Sequence, residues 1–154
     1  MASHLPELTC VRCGAPGRRG DPQRYLGCPT CRSEGQPANY RWDADPGMVS
    51  GAVRRPTARR DMWRFAGALP VQDPVSLGEG GTPLVRLDAL AKAYGIGHLF
   101  AKNESANPTW SHKDRLAAVT VAVARQAGAR VVAAASTGNH GAAVAAYAAR
   151  AGLR

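Results

Sequence analysis

Three groups of residues have types and spacings that can do chemistry. The four cysteines stand in two pairs, Cys10-Val11-Arg12-Cys13 and Cys28-Pro29-Thr30-Cys31, separated by fourteen residues. A tight turn at each pair aims both thiols to one side, and a hairpin between the pairs brings them together. Four thiolates around one ion form a tetrahedral site suited to structural Zn²⁺, with no position left open for water. Two disulfides or idle thiols are the competing reading. A redox pair is disfavoured, because a thioredoxin-like CxxC opens a helix after a strand.

The second group is Asn107-Pro108-Thr109-Trp110-Ser111-His112-Lys113-Asp114-Arg115. Asn-Pro breaks the preceding element. Ser111 followed three residues later by Asp114 has the spacing of a capping box, so Ser111 is expected as helix N-cap. Lys113 then falls in the first turn, where the positive end of the helix dipole disfavours an ammonium. An amine so placed suits a Schiff-base nucleophile, although the same placement also suits a solvated surface lysine. The third group is Ser136-Thr137-Gly138-Asn139-His140-Gly141. It lies between an apolar run and a helix start, where free backbone N–H groups, hydroxyls and an amide make an anion cradle. An ordinary polar N-cap with a glycine turn reads the same way.

The elements that must position these groups follow from periodicity. Residues 1–35 hold every cysteine and are expected as a zinc ribbon. Residues 36–75 are a linker with the basic pairs Arg54-Arg55 and Arg59-Arg60. Residues 76–154 alternate: an extended segment at Leu84–Leu87, a helix at Asp88–Tyr94 stopped by Gly95, and a strand at His98–Ala101. A helix follows over Ser111–Ala127 with apolar positions at Leu116, Val119, Val123 and Ala127, then a strand over Arg130–Ala135 and an alanine-rich helix over Asn139–Ala151 ended by Gly152. The continuous apolar run Arg130–Ala135 reads as a strand buried on both faces. Strand, helix, strand, helix is the rhythm of a parallel α/β sheet. Leu153-Arg154 stand where the next parallel strand would begin. The expectation is therefore the front portion of a longer protein, or a chain that another chain beside it completes.

The chain has 154 residues, and its formal net charge of +9 invites nucleic acid, phosphate or acidic substrates as partners. Lysine is scarce: Lys92, Lys102 and Lys113 are the three among twenty basic residues. The uncharged stretch Val131–Ala149 is interrupted by Ser136–Gly141 and is otherwise largely alanine, which excludes a spanning helix. Without a secretory signal at Met1–Cys10, a cytoplasmic protein is expected.

The ordered motifs Gly78-Glu79-Gly80-Gly81-Thr82-Pro83-Leu84, Lys102–Arg115 and Ser136–Gly141 resemble those of the fold-type II, tryptophan synthase beta-like, pyridoxal-phosphate enzymes. Within them the threonine synthase branch, where an N-terminal cysteine ribbon also occurs, is the most similar. The resemblance implies that Lys113 carries pyridoxal 5'-phosphate as a Schiff base and acts as general base and acid at the substrate carbons. It implies that Asn139 meets the pyridine hydroxyl oxygen, and that Ser136, Thr137 and Asn139 hold the substrate carboxylate. The implied reaction is elimination and replacement on a phosphorylated amino acid, O-phosphohomoserine plus water giving threonine plus phosphate, in a homo-oligomer at full length. Cysteate synthase-like and threonine/serine dehydratase-like enzymes are the neighbouring alternatives. Trp110 stands where the family usually has glycine, and His112 where phenylalanine or valine is more common. From a different class, a basic zinc-ribbon module with Arg12, Arg18, Arg19 and Arg24 would bind nucleic acid; the lysine motif weighs against it.

Overall fold

The computed structural model describes residues 8–17, 26–42, 47, 50, 51, 54 and 58–154. Arg18, Arg19, Arg24 and Arg55 lie outside the described residues. The chain divides into two compact units, one formed by Met1–Arg55 with Phe65–Gln72 and the other by Pro56–Arg64 with Asp73–Arg154.

The first unit is built on a three-stranded antiparallel sheet of β1 (Leu8–Cys10), β2 (Pro16–Gly17) and β3 (Tyr40–Trp42), in the order β2-β1-β3. Cys10 pairs with Tyr40 and Thr9 with Arg41. The cysteine-bearing sheet thus reaches Trp42, past the expected ribbon boundary at residue 35. A short helix α1 (Pro29–Ser33) starts at the second cysteine pair, with Cys28 at its N-cap and proline in its first turn, as proline's fixed φ favours. The second pair opens a helix, as a thioredoxin-like CxxC does. Cys28 and its partners are nevertheless fed by the Gly27 turn rather than by a strand. Gly27 sits at φ +84, and a Cβ there would come 2.6 Å from the Ala38 carbonyl oxygen. That close approach allows Cys28 N–H to donate to the same carbonyl at 2.8 Å. Cys10, Cys28 and Cys31 are themselves the buried core, with Ala15, Ala38 and Tyr40 packed against them. So small an apolar core needs a staple.

The second unit contains β4 (Leu84–Arg86), α2 (Asp88–Ala93), β5 (Phe100–Lys102), α3 (Lys113–Gln126) and α4 (Asn139–Ala151). Apart from the run Arg130–Ala135, the expected elements are present with ends shifted by at most two residues. The expected parallel pairing is not. β4 and β5 are antiparallel, with Val85 opposite Ala101. The six-residue α2 rises only about 9 Å. Gly95, at φ +65, then turns the chain back so that it enters β5 from the end where it left β4.

The run Arg130–Ala135 forms no assigned strand, and Val131 is exposed. It does make one parallel-type bond pair with the last residue: Arg154 N–H donates to the Arg130 carbonyl at 3.1 Å, and Val132 N–H to the Arg154 carbonyl at 2.7 Å. The expected burial on both faces is corrected accordingly. A strand is buried on both faces only where helices pack over each face of its sheet, and among the described residues Arg154 alone pairs with this run.

α3 and α4 pack against each other. The buried face of α3 is Asp114, Ala117, Ala118, Val121 and Ala122, rather than the expected stripe of Leu116, Val119, Val123 and Ala127. Leu116 is 46% exposed. The contact partners on α4 are small, with Ala143 and Ala148 buried beside Tyr147. Alanine on both helices permits close approach, and that outweighs the larger residues a quarter-turn away. α4 ends as expected at Gly152, in the left-handed conformation at φ +71. No helix among the described residues is long and apolar enough to cross a membrane.

Candidate active site and metal centre

The glycine turn of the second unit brings distant backbone into contact. Gly80 and Gly81 sit at φ +93 and +60, and a Cβ on them would lie 2.5 Å from Met62 N and from the Arg60 carbonyl oxygen respectively. Only glycine fits both the dihedral and the approach. Between these contacts Glu79 is fully buried. Its carboxylate accepts from the Trp63 indole N–H, from the Tyr147 hydroxyl at 2.8 Å and from Leu77 N–H at 2.9 Å. Burial, and then the hydrogen bond to Glu79, push the Tyr147 phenol far above its ordinary range.

Glu104 joins the first motif to the second. One of its oxygens accepts from the Thr82 hydroxyl at 2.8 Å, and the carboxylate takes a two-point ion pair from Arg115 at 2.7 and 2.9 Å. The Asn107 amide donates to Glu104 at 3.0 Å while its oxygen accepts from Gly80 N–H, also at 3.0 Å. Lys102 Nζ donates to the Thr82 carbonyl. Asp114, fully buried, accepts from Thr109 N–H at 3.2 Å and from its hydroxyl at 2.9 Å.

These bonds set the entry to α3. Ser111 Oγ accepts from Lys113 N–H at 2.9 Å, as a cap would. Asp114 does not return the bond, however, so the reciprocal capping box is not formed and α3 begins at Lys113 with His112 before it. The cause is Trp110, at φ +61. The left-handed step turns Thr109 toward Asp114, which then serves Thr109 instead of Ser111. A bulky residue held there costs roughly 1–2 kcal/mol, and its ring is 82% exposed. The glycine expected at this position by resemblance is what the dihedral favours.

Within Lys113-Asp114-Arg115, two side chains are therefore fully engaged and one is not. Among the described residues, no hydrogen bond or ion pair holds Lys113 Nζ, which is half-buried at the first turn of α3.

At the start of α4, Ser136 Oγ accepts from Gly138 N–H at 3.2 Å and from Gly141 N–H at 2.9 Å. Ser136 thus caps the turn, while Thr137 and Asn139 are exposed. No hydrogen bond among the described residues links Lys113 to Ser136, Thr137 or Asn139; the link between the motifs is Tyr147 of α4 to Glu79. Glu79, Glu104, Thr82 and Arg115 lie within the motifs, yet sequence reasoning assigns them no task. Charged residues placed among glycines and apolar residues were the available signal.

In the first unit, Cys10 Sγ lies 3.7 Å from Cys31 Sγ, and Cys13 Sγ 3.7 Å from Cys28 Sγ. All four sulfurs lie within 4.8 Å of one another, and the four cysteines are free thiols. Metal–sulfur bonds of about 2.3 Å in a tetrahedron place sulfurs about 3.8 Å apart, so the residues present can hold a metal. Backbone N–H donors reach the first sulfur of each pair: Arg12 N–H lies 3.4 Å from Cys10 Sγ. The Cys31 N–H pulls the Cys28 thiol down to about 6, whereas burial pushes Cys31 up to about 12.

The Arg115 ion pair holds the Glu104 carboxyl down at about 2, against an ordinary 4.5. A carboxyl lowered by folding contributes stability that is full above pH 4.5 and is lost as pH falls toward 2. Both partners are about a quarter to a third exposed, at 26% and 32%, so the contribution is screened to roughly 2 kcal/mol. Urea unfolding at about pH 6 and about pH 3 should show that loss, and Glu104→Gln should show a smaller one. Equal losses in both proteins would remove the ion pair as the cause.

The model of the pyridoxal-phosphate dependent enzymes matches residues 75–154, more than half of the chain. The chain belongs to the pyridoxal-phosphate-dependent enzyme family. Members named threonine synthase are similar to it. That of Methanocaldococcus jannaschii is 53% identical over 96 residues, covering 60% of this chain and 24% of the relative. That of Methanosarcina acetivorans is 50% identical over 93 residues, covering 60% and 23%. That of Halalkalibacterium halodurans is 51% identical over 89 residues, covering 56% and 25%. The chain spans about a quarter of the length of these curated relatives. Membership in the pyridoxal-phosphate family implies that cofactor, and a half-buried lysine amine in the first turn of α3, unpartnered among the described residues, fits it.

Proposed function

We propose that this chain carries the cofactor lysine and part of the substrate site of a threonine synthase-like enzyme, converting O-phosphohomoserine and water to threonine and phosphate. The observation that carries the reading is the Lys113 amine, unpartnered among the described residues, next to the locked Asp114 and Arg115 side chains. Pyridoxal phosphate, when bound, supplies an electron sink next to the substrate α-carbon. Lys113 holds the cofactor and moves protons at the substrate carbons. Asp114 and Arg115 hold the first turn of α3 so that the amine keeps its direction. Asn139 orients the cofactor through the ring hydroxyl. Thr137, the Asn139 amide and the N–H groups of Asn139 and His140 receive the substrate carboxylate at the positive end of α4. Ser136 keeps that turn in shape through its bonds to Gly138 and Gly141. In the first unit, Cys10, Cys13, Cys28 and Cys31 hold a structural Zn²⁺.

Borohydride reduction in the presence of pyridoxal phosphate should place the cofactor's mass on the peptide bearing Lys113. The Lys113→Ala protein should carry no such label there. A label spread equally over Lys92 and Lys102 would overturn the assignment.

A further inference from the structure

The segment Arg59–Arg64 and the glycine turn border an open cavity of about 500 Å³, lined by Arg59, Arg60, Arg64, Lys102, Gly81 and Thr82. Among the described residues, its four charged lining residues are cations and no carboxylate lines it. Its walls are held in place. The Arg60 carbonyl seats against Gly81 at a distance no Cβ permits, and Met62 N–H donates to the Glu79 carbonyl at 2.8 Å. Lys102 is tethered by one of its three N–H donors to the Thr82 carbonyl, which leaves two. Arg59 is offset by its ion pair to Asp61 at 2.9 Å, so the positive charge offered to a ligand rests on Arg60 and on the two remaining donors of Lys102. A volume of this size takes a small molecule, and guanidinium groups match the oxygens of a phosphoryl group in two-point fashion.

We infer that this cavity is a binding site for a phosphoryl dianion, either inorganic phosphate or a small phosphate monoester. The site uses none of Lys113, Thr137 or Asn139, and so stands apart from the reading of those residues.

The test is titration of the isotope-labelled protein with inorganic phosphate, and separately with glycerol phosphate, at constant ionic strength. Chloride serves as the control for screening. Saturable shifts at the Gly81 and Thr82 amides are expected. Arg60→Glu should weaken them at least about tenfold, the loss of one charge-assisted pair. Lys92→Glu, an equal charge change on α2 outside the cavity, should leave them unchanged. Far-UV circular dichroism checks the fold of each variant, and Arg64→Gln substitutes if Arg60→Glu misfolds. Equal affinity for both ligands assigns the site to free phosphate, and at least tenfold tighter glycerol phosphate assigns it to a monoester. Shifts that chloride reproduces, that never saturate, or that survive the cavity substitutions overturn the inference.

Discussion

Cys31→Ser should unfold the cysteine-bearing sheet. Cys31 is fully buried and lies 3.7 Å from Cys10, and the core around it consists of little besides the cysteines. Burial of apolar surface in residues 8–42 is too slight to offset their ordering entropy. A bound metal would then supply the folding free energy of this sheet, which in small zinc domains amounts to about 10–16 kcal/mol. The purified protein should contain about one Zn²⁺ per chain, with its thiols unreactive toward a thiol reagent. Chelation should expose all four and broaden the amide signals of β1 and β3, and Cys31→Ser should do so without chelator. Binding also requires the Cys31 thiol, pushed up by burial, to lose its proton, so loading should release protons and weaken as pH falls. A metal-free protein with sharp β1 and β3 signals would reject the structural role.

Glu79→Ala should cost about 3–5 kcal/mol, most of the stability of a domain this size. Its two oxygens collect donors from three separate places: Trp63 before the turn, Leu77 inside it, and Tyr147 on α4. Removing the carboxylate leaves the Trp63 and Tyr147 donors buried without partners and opens a cavity beside these two residues, both 2% exposed or less. Each unpaired donor costs about 1–3 kcal/mol. Tyr147→Phe removes one bond and keeps the ring, so about 1 kcal/mol is expected. Urea unfolding of both single variants and the double variant gives the coupling directly. A cost below about 1 kcal/mol for Glu79→Ala would show that water replaces the carboxylate and that the turn is not anchored through it.

Local spacing was enough for much of this protein. Two CxxC pairs foretold a cluster of four sulfurs, because short turns and one hairpin leave thiols few other directions. Glycine stops foretold the ends of α2 and α4, since the left-handed step at Gly95 and Gly152 is a property of a single residue. The three motifs foretold the family, because their order and wording are specific.

Packing and strand direction were not legible in that way. The face α3 buries depends on what α4 presents to it, and the alanines of α4 select Ala117, Ala118 and Val121 over Leu116. The antiparallel pairing of β4 and β5 depends on where the chain turns back after α2, which periodicity does not record. Asp114 had the spacing of a capping partner for Ser111, yet Trp110 turned Thr109 to it first. Glu79 and Glu104 looked like ordinary acids within glycine-rich and polar motifs. Their tasks exist only once residues up to 68 positions apart meet, since a buried carboxylate takes its role from the donors that close around it.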